Sequence, residues 1–377
     1  MKVKFITATV LLALFLTAGV RAEEPETGSS DVLVEFGESS LEEFSDIIPA
    51  AAQDIGSDAA AIAEEFTVGR VVDMIVAELG ELVAPLTRQL SILLGVVIIM
   101  SAIAAAKNSI SNAGLTAALE YAALLCAVLA AYGAVSGVWQ RIADTLDNLT
   151  AFMTGLIPMM GTLYVAGGNV TTAAVSSAGL MTLTAFCEQL SYYVLWPVLR
   201  VCFGLSLITG LGGQVSLSGV TQTLRNMFTT TLAFIMSVLT FVISNQVNLA
   251  LSADNLSARV MKFAASSYIP VVGGALGDAI RAIGGSIGVL RSTLGTASVA
   301  VIFALVLPAV LQIYLCRFTF SLTASVAKLV GCDRESSLFD EMRGMLGFGL
   351  AILVSCAVMF LFFVTTFSRA AVGMVMQ

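Results

Sequence analysis

The chain has 377 residues, of which 58% are hydrophobic and only 12% charged, and its mean hydropathy is +0.94. That balance excludes an ordinary soluble domain and leaves an all-α, multi-pass membrane protein as the fold class. The net charge is −8 and there is no histidine, which rules out Ser-His-Asp and Cys-His catalysis, imidazole metal sites and a histidine proton relay.

Residues 1–22 read as a secretory signal. Lys2 and Lys4 precede an apolar core from Ile6 to Ala18, and Val20-Arg21-Ala22 suits a cleavage site before Glu23. The acidic EEPETGSS that follows favours cleavage over an uncleaved anchor, and both readings place Glu23 onward outside the cytoplasm. Sixteen of the 26 acids fall between Glu23 and Glu81, where Arg70 is the only base. The acidity thus belongs to one extracytoplasmic segment, 23–87, and no nucleic-acid partner is expected. Residues 23–45 are acidic and rich in Ser and Gly, so they are expected to be poorly ordered. Val68, Val71, Val72, Ile75, Val76, Leu79, Leu82 and Val83 then recur at helical spacing, with Asp73, Glu78 and Glu81 off the apolar face. An acidic polar face suits a protein partner better than membrane adsorption.

From 88 to 377 the chain reads as a polytopic membrane domain. Charge-poor stretches near or above the roughly 18 residues of a bilayer-spanning helix give six crossings: 89–106, 115–138, about 182–208, 228–249, 293–316 and 345–367. Six crossings return the C-terminus to the side of the N-terminus. Landmarks repeat along this domain. Ile157-Pro158 followed by Gly161 matches Ile269-Pro270 followed by Gly273, an offset of 112 residues (158 to 270). LWPVLRVCF at 195–203 resembles VLPAVLQIY at 306–314. An internal duplication is therefore expected, with units of about 115–211 and 228–330 and a final span outside them. Each unit would hold a span, an amphipathic helix, an IPxxG break, a short polar half-helix and a proline-interrupted span. Proline lacks a backbone donor and glycine permits close approach, so Pro158 with Gly161, and Pro270 with Gly273 and Gly274, are expected to break the helix into re-entrant or interfacial pieces.

Glu188 and Arg200 are the charges deepest in apolar sequence and are candidates to face a bundle interior or aqueous path, with snorkelling the other reading of Arg200. Asp278 and Arg281, spaced i,i+3, suit a local ion pair. The six cysteines at 126, 187, 202, 316, 332 and 356 lack C-x-x-C spacing and read as free thiols. Cys332, in the charged 317–344 stretch, is expected to be open to cytoplasmic reagents. No catalytic constellation, cofactor site or metal site is expected.

Residues 262–279, KFAASSYIPVVGGALGDA, resemble the signature segment of the stage III sporulation protein AE family. The likeness extends in hydropathy layout from about Leu86 to the C-terminus and is sharp only at this motif. The resemblance implies a non-enzymatic, multi-pass component of a transenvelope complex between mother cell and forespore, similar in plan to a specialised secretion system. It would sit in the mother-cell-derived membrane around the forespore and contribute to a channel or feeding apparatus. Expected partners are the other membrane subunits of that complex, the bilayer and further copies of this chain. A small-solute secondary transporter, with broken helices around a midplane site, is the alternative. A pure assembly scaffold is the third reading.

Overall fold

The computed structural model describes residues 31–55, 58–106, 113–198, 200, 201, 204, 218–268 and 273–372. The signal segment and Pro270 lie outside them. Among the described residues there is no strand. The helices are α1 (Asp31–Ile47), α2 (Ala59–Glu65), α3 (Val68–Ala106), α4 (Ala113–Ala166), α5 (Val170–Gln189), α6 (Ser218–Tyr268), α7 (Gly273–Leu329) and α8 (Asp333–Val372). A 3₁₀ turn, Ala50–Ile55, separates α1 from α2, and a π-helical turn, Leu190–Leu195, extends α5.

Six of these helices, α3 to α8, are long and apolar enough to span a membrane, and they contain or overlap the six expected crossings. Contacts fix their directions as alternately up and down. Arg141 on α4 donates to Gln312 on α7 while Arg291 on α7 reaches Leu163 on α4, so these two run antiparallel. Ile142 lies against Gly349, and the Tyr164 ring meets Phe367, so α4 and α8 run parallel. The α7–α8 hairpin forms the centre, with Ala297, Val301, Ile313, Phe320, Ile352 and Phe360 fully buried. Helices α3 and α4 pack against α7, whereas α5 and α6 pack against each other and against α4 and α8.

The turns α4–α5 and α7–α8 share one construction. Gly168 and Gly331 both have φ of 78°, the left-handed conformation that ends a helix without penalty only for glycine. Asn169 N–H donates to Tyr164 O at 2.8 Å, and Cys332 N–H donates to Ala327 O at 2.9 Å, closing the same carbonyl-capping loop.

Several sequence expectations are corrected. Residues 31–47 are not irregular: they form α1, because Leu41, Phe44, Ile47 and Ile48 recur on one face and pack on the bundle, with Phe44 edge-on to Phe152 at 6.0 Å. The amphipathic helix and the first crossing are one helix, α3, which passes through an exposed Pro85. Pro158 does not break α4 either. It sits on the exposed side of a helix that continues to Ala166, and the reversal comes at Gly167-Gly168, where the left-handed residue is. In the second half the expected break at Pro270 lies outside the described residues, between α6, described to Tyr268, and α7, described from Gly273. The polar half-helix 274–291 and the crossing 293–316 are likewise one continuous helix, α7, through Pro308.

Candidate functional site

The bundle's strongest polar interactions gather at two levels. At the first, two helices clamp the α4–α5 turn. Asp254, buried on α6, accepts hydrogen bonds from Thr171 N (3.2 Å), Thr172 N (2.7 Å) and Thr172 Oγ1 (2.7 Å). It thereby caps the N-terminus of α5 from a neighbouring helix, where unpaired donors and the helix dipole both favour an anion. Arg291 on α7 is 1% exposed and donates Nη2 to Leu163 O at 2.6 Å, near the C-terminus of α4, with its guanidinium 4.5 Å from the centre of the Tyr164 ring. A cation there satisfies a terminal carbonyl and the opposite end of a dipole. Gly167 leaves room for it, since a Cβ at that position would meet Nη2 at 2.5 Å.

At the second level, Arg225 on α6 and Glu341 on α8 form an ion pair of 3.0 Å with both side chains 7% exposed, and Arg225 Nη1 also donates to Glu341 O at 2.9 Å. Asp340 accepts from Lys328 at 3.2 Å and lies 3.3 Å from Arg343, while Ser336 Oγ donates to Ala324 O across the α7–α8 turn. On α6, Arg225 and Asp254 are 29 residues apart, about 44 Å, close to the full thickness of a bilayer with its headgroups.

Those residues singled out in the sequence whose side chains are described lie elsewhere. Glu188, near the end of α5, is exposed, as is Arg200. Pro158 is exposed on α4, and Gly161 faces Ser177, whose Oγ is 3.5 Å from where a Cβ would be. Gly273 and Gly274 open α7, and Asp278 and Arg281 lie on its first turns; the pairing expected of the last two falls outside the described side chains. Cys332 is 5% exposed instead of open, because it forms the turn that caps α7. Burial pushes its thiol above the ordinary range, with Glu335 and Asp333 adding to the effect.

A small cavity of about 10 Å³ lies between α4, α5, α6 and α8, lined in part by Tyr164, Thr240, Ser244 and Thr366. It has room for about one water molecule. A second, of similar size, is lined mainly by apolar side chains such as Leu156, Met159 and Phe367. Among the described residues no three His, Cys, Asp or Glu side chains gather as a metal would need.

With this geometry established, comparison with known proteins gives the family. The family profile described as stage III sporulation protein AE matches residues 54–371, which covers α2 to α7 and nearly all of α8. The chain belongs to the stage III sporulation protein AE family. A relative bearing that description, from Bacillus subtilis (strain 168), is 22% identical over 227 residues, 60% of this chain and 57% of the relative. The chain thus matches somewhat more than half the length of that relative. No solved structure matches. Family membership assigns the chain to sporulation, and the six long apolar helices fit a multi-pass membrane protein.

Proposed function

We propose that this chain is a non-enzymatic structural subunit of a transenvelope complex that links mother cell and forespore, seated in the mother-cell-derived membrane around the forespore. The observation carrying this reading is a family match that runs almost the whole length of a bundle held by interhelical caps and ion pairs. The polar groups inside the bundle are used to fasten helices: Asp254 and Arg291 each cap a helix end, and Arg225 and Glu341 neutralise each other.

The test is a deletion strain followed through development. Normal vegetative growth and engulfment followed by arrested forespore development, restored by the wild-type gene, is the expected result. Co-purification of other envelope proteins with a tagged chain, from cells collected at that stage, is expected as well. Normal spore yield in the deletion strain would refute the reading. Solute uptake by vesicles containing the purified chain alone would favour a transporter instead.

A further inference from the structure

Hydrophobic surface on this bundle lies at two different levels on its two flanks. On α6, Phe234, Phe241 and Leu249 are 69%, 70% and 71% exposed. Contacts fix the level of Phe241. Phe228 meets Phe348 at 6.3 Å, and Ile243 and Phe363 both face Gly179, so Phe241 stands level with about residue 361 of α8. On α4, Leu125 and Leu129 are 52% and 70% exposed. Trp139 stacks near Phe348 and Ile142 lies against Gly349, so Leu129 stands level with about residue 336 of α8. The 25-residue difference corresponds to roughly 37 Å along the helix axis, more than the hydrocarbon thickness of about 30 Å. Gln89 donates to Cys316 at 3.0 Å, which sets the charge-free end of α3 beside the same low level.

Charge is distributed in the complementary way. The acidic α1 packs at the high level on the α4 side, where Phe44 meets Phe152 and Ile47 meets Gly155, and it leaves Glu42, Glu43 and Asp46 exposed. The α7–α8 turn lies at the low level with Lys328, Asp333 and Arg334 exposed. An upright bilayer at the high level would therefore bury the acids of α1 and leave the apolar face of α4 in water, and one at the low level would bury the charged α7–α8 turn and leave the apolar face of α6 in water. Charges at bilayer depth are costly, and large apolar faces in water are uncommon.

We infer that one bilayer crosses this bundle obliquely, high on the outer face of α6 and low on the outer faces of α3 and α4. The hydrocarbon of that bilayer is the occupant of both apolar faces. The acidic α1 then stands in water above the low side of the membrane, and the charged α7–α8 turn stands in water below the high side. Tilt lengthens each crossing by only a few residues, so helices of 51 to 57 residues also extend well beyond the hydrocarbon. This inference rests on the membrane placement and not on the role in sporulation.

The test uses the full chain, with Cys126→Ser removing the thiol exposed among the described residues and Cys202→Ser removing the one outside them, and three single replacements: Phe241→Cys, Leu129→Cys and Glu43→Cys. Each is nitroxide-labelled and reconstituted in phosphatidylcholine vesicles, and its collisions with oxygen and with a water-soluble nickel chelate are compared. All three positions are exposed, and Phe234→Cys and Leu125→Cys provide replicates should one variant fold poorly. Labels at 241 and 129 should both be rich in oxygen contact and shielded from nickel, whereas the label at 43 should be open to nickel. Nickel access at 129 or at 241 would overturn the oblique placement. So would a label at 129 shielded from both reagents, which would mean that another copy of the chain or a partner protein covers that face. Each of these results leaves the sporulation reading untouched, because the deletion phenotype is scored separately.

Discussion

Glu341→Leu offers the sharpest test of how this bundle is held together. The substitution leaves the Arg225 guanidinium almost fully buried, with one donor still on the Glu341 backbone carbonyl and its charge uncompensated. Breaking a buried ion pair from one side typically costs about 3–5 kcal/mol, because the remaining charge stays desolvated. The double variant Arg225→Met, Glu341→Leu removes both charges. Methionine can reach into the space beside Gly344 that the guanidinium now fills, and paired apolar replacement of this kind is often neutral or stabilising by about 1–4 kcal/mol. The assay is thermal unfolding of the detergent-purified chain, read by the fraction remaining monodisperse, across the full double-mutant cycle. The single variant should melt well below the wild type and the double should recover most of the loss. A single variant with unchanged melting, or a double as impaired as the two singles combined, would show that the pair is solvated and that α6 is held to α8 by something else.

Four further outcomes follow from named contacts. Gly168→Val should cost roughly 1–3 kcal/mol from backbone strain at a φ of 78°, whereas Gly161→Ala, within α4 and with only an ordinary contact to Ser177, should be neutral or slightly stabilising; the same melting assay ranks them. Asp254→Ala should cost about 0.5–2 kcal/mol through the lost cap and raise proteolytic cleavage near Thr171. Cys332 should react with maleimide more slowly than the exposed Cys126 at neutral pH, and its rate should climb as pH rises toward its elevated pKa, since only the thiolate attacks; equal rates would refute its burial. Reporters active only outside the cytoplasm, fused near Ser57 and after Gln377, should both be active, and silence at the C-terminus would require an odd number of crossings.

The class of fold was legible because it depends on quantities a sequence states directly. A stretch without charge and longer than a bilayer is deep can hardly be anything but a spanning helix, and each of the six expected crossings lies in or overlaps a long helix. Where helices stop was not legible, because proline and glycine act only in context. Pro85, Pro158 and Pro308 all lie inside helices, which tolerate them once neighbouring groups take up the freed carbonyl. The actual stops are set by Gly168 and Gly331, single residues whose role depends on a left-handed φ that no local spacing reveals.

Charge was misjudged for a related reason. Distance in sequence from other polar residues made Glu188 and Arg200 look deepest, yet both face outward. Among the described residues Arg225, Asp254, Glu341 and Arg291 are the buried ones, and all four lie at or near the ends of apolar stretches, where a sequence reading assigns them to the membrane surface. A signal was present in the pairing of these ends. Arg225 and Asp254 bracket one charge-free run on α6, and Glu341 and Arg291 lie beyond the corresponding runs on α8 and α7. When long helices cross a bilayer side by side, charges that bracket their spans come to the same few levels, and there they can pair or cap one another. The charges most informative about assembly in such a protein are thus those at the edges of the apolar runs, and opposite signs at a shared level are the pattern to seek.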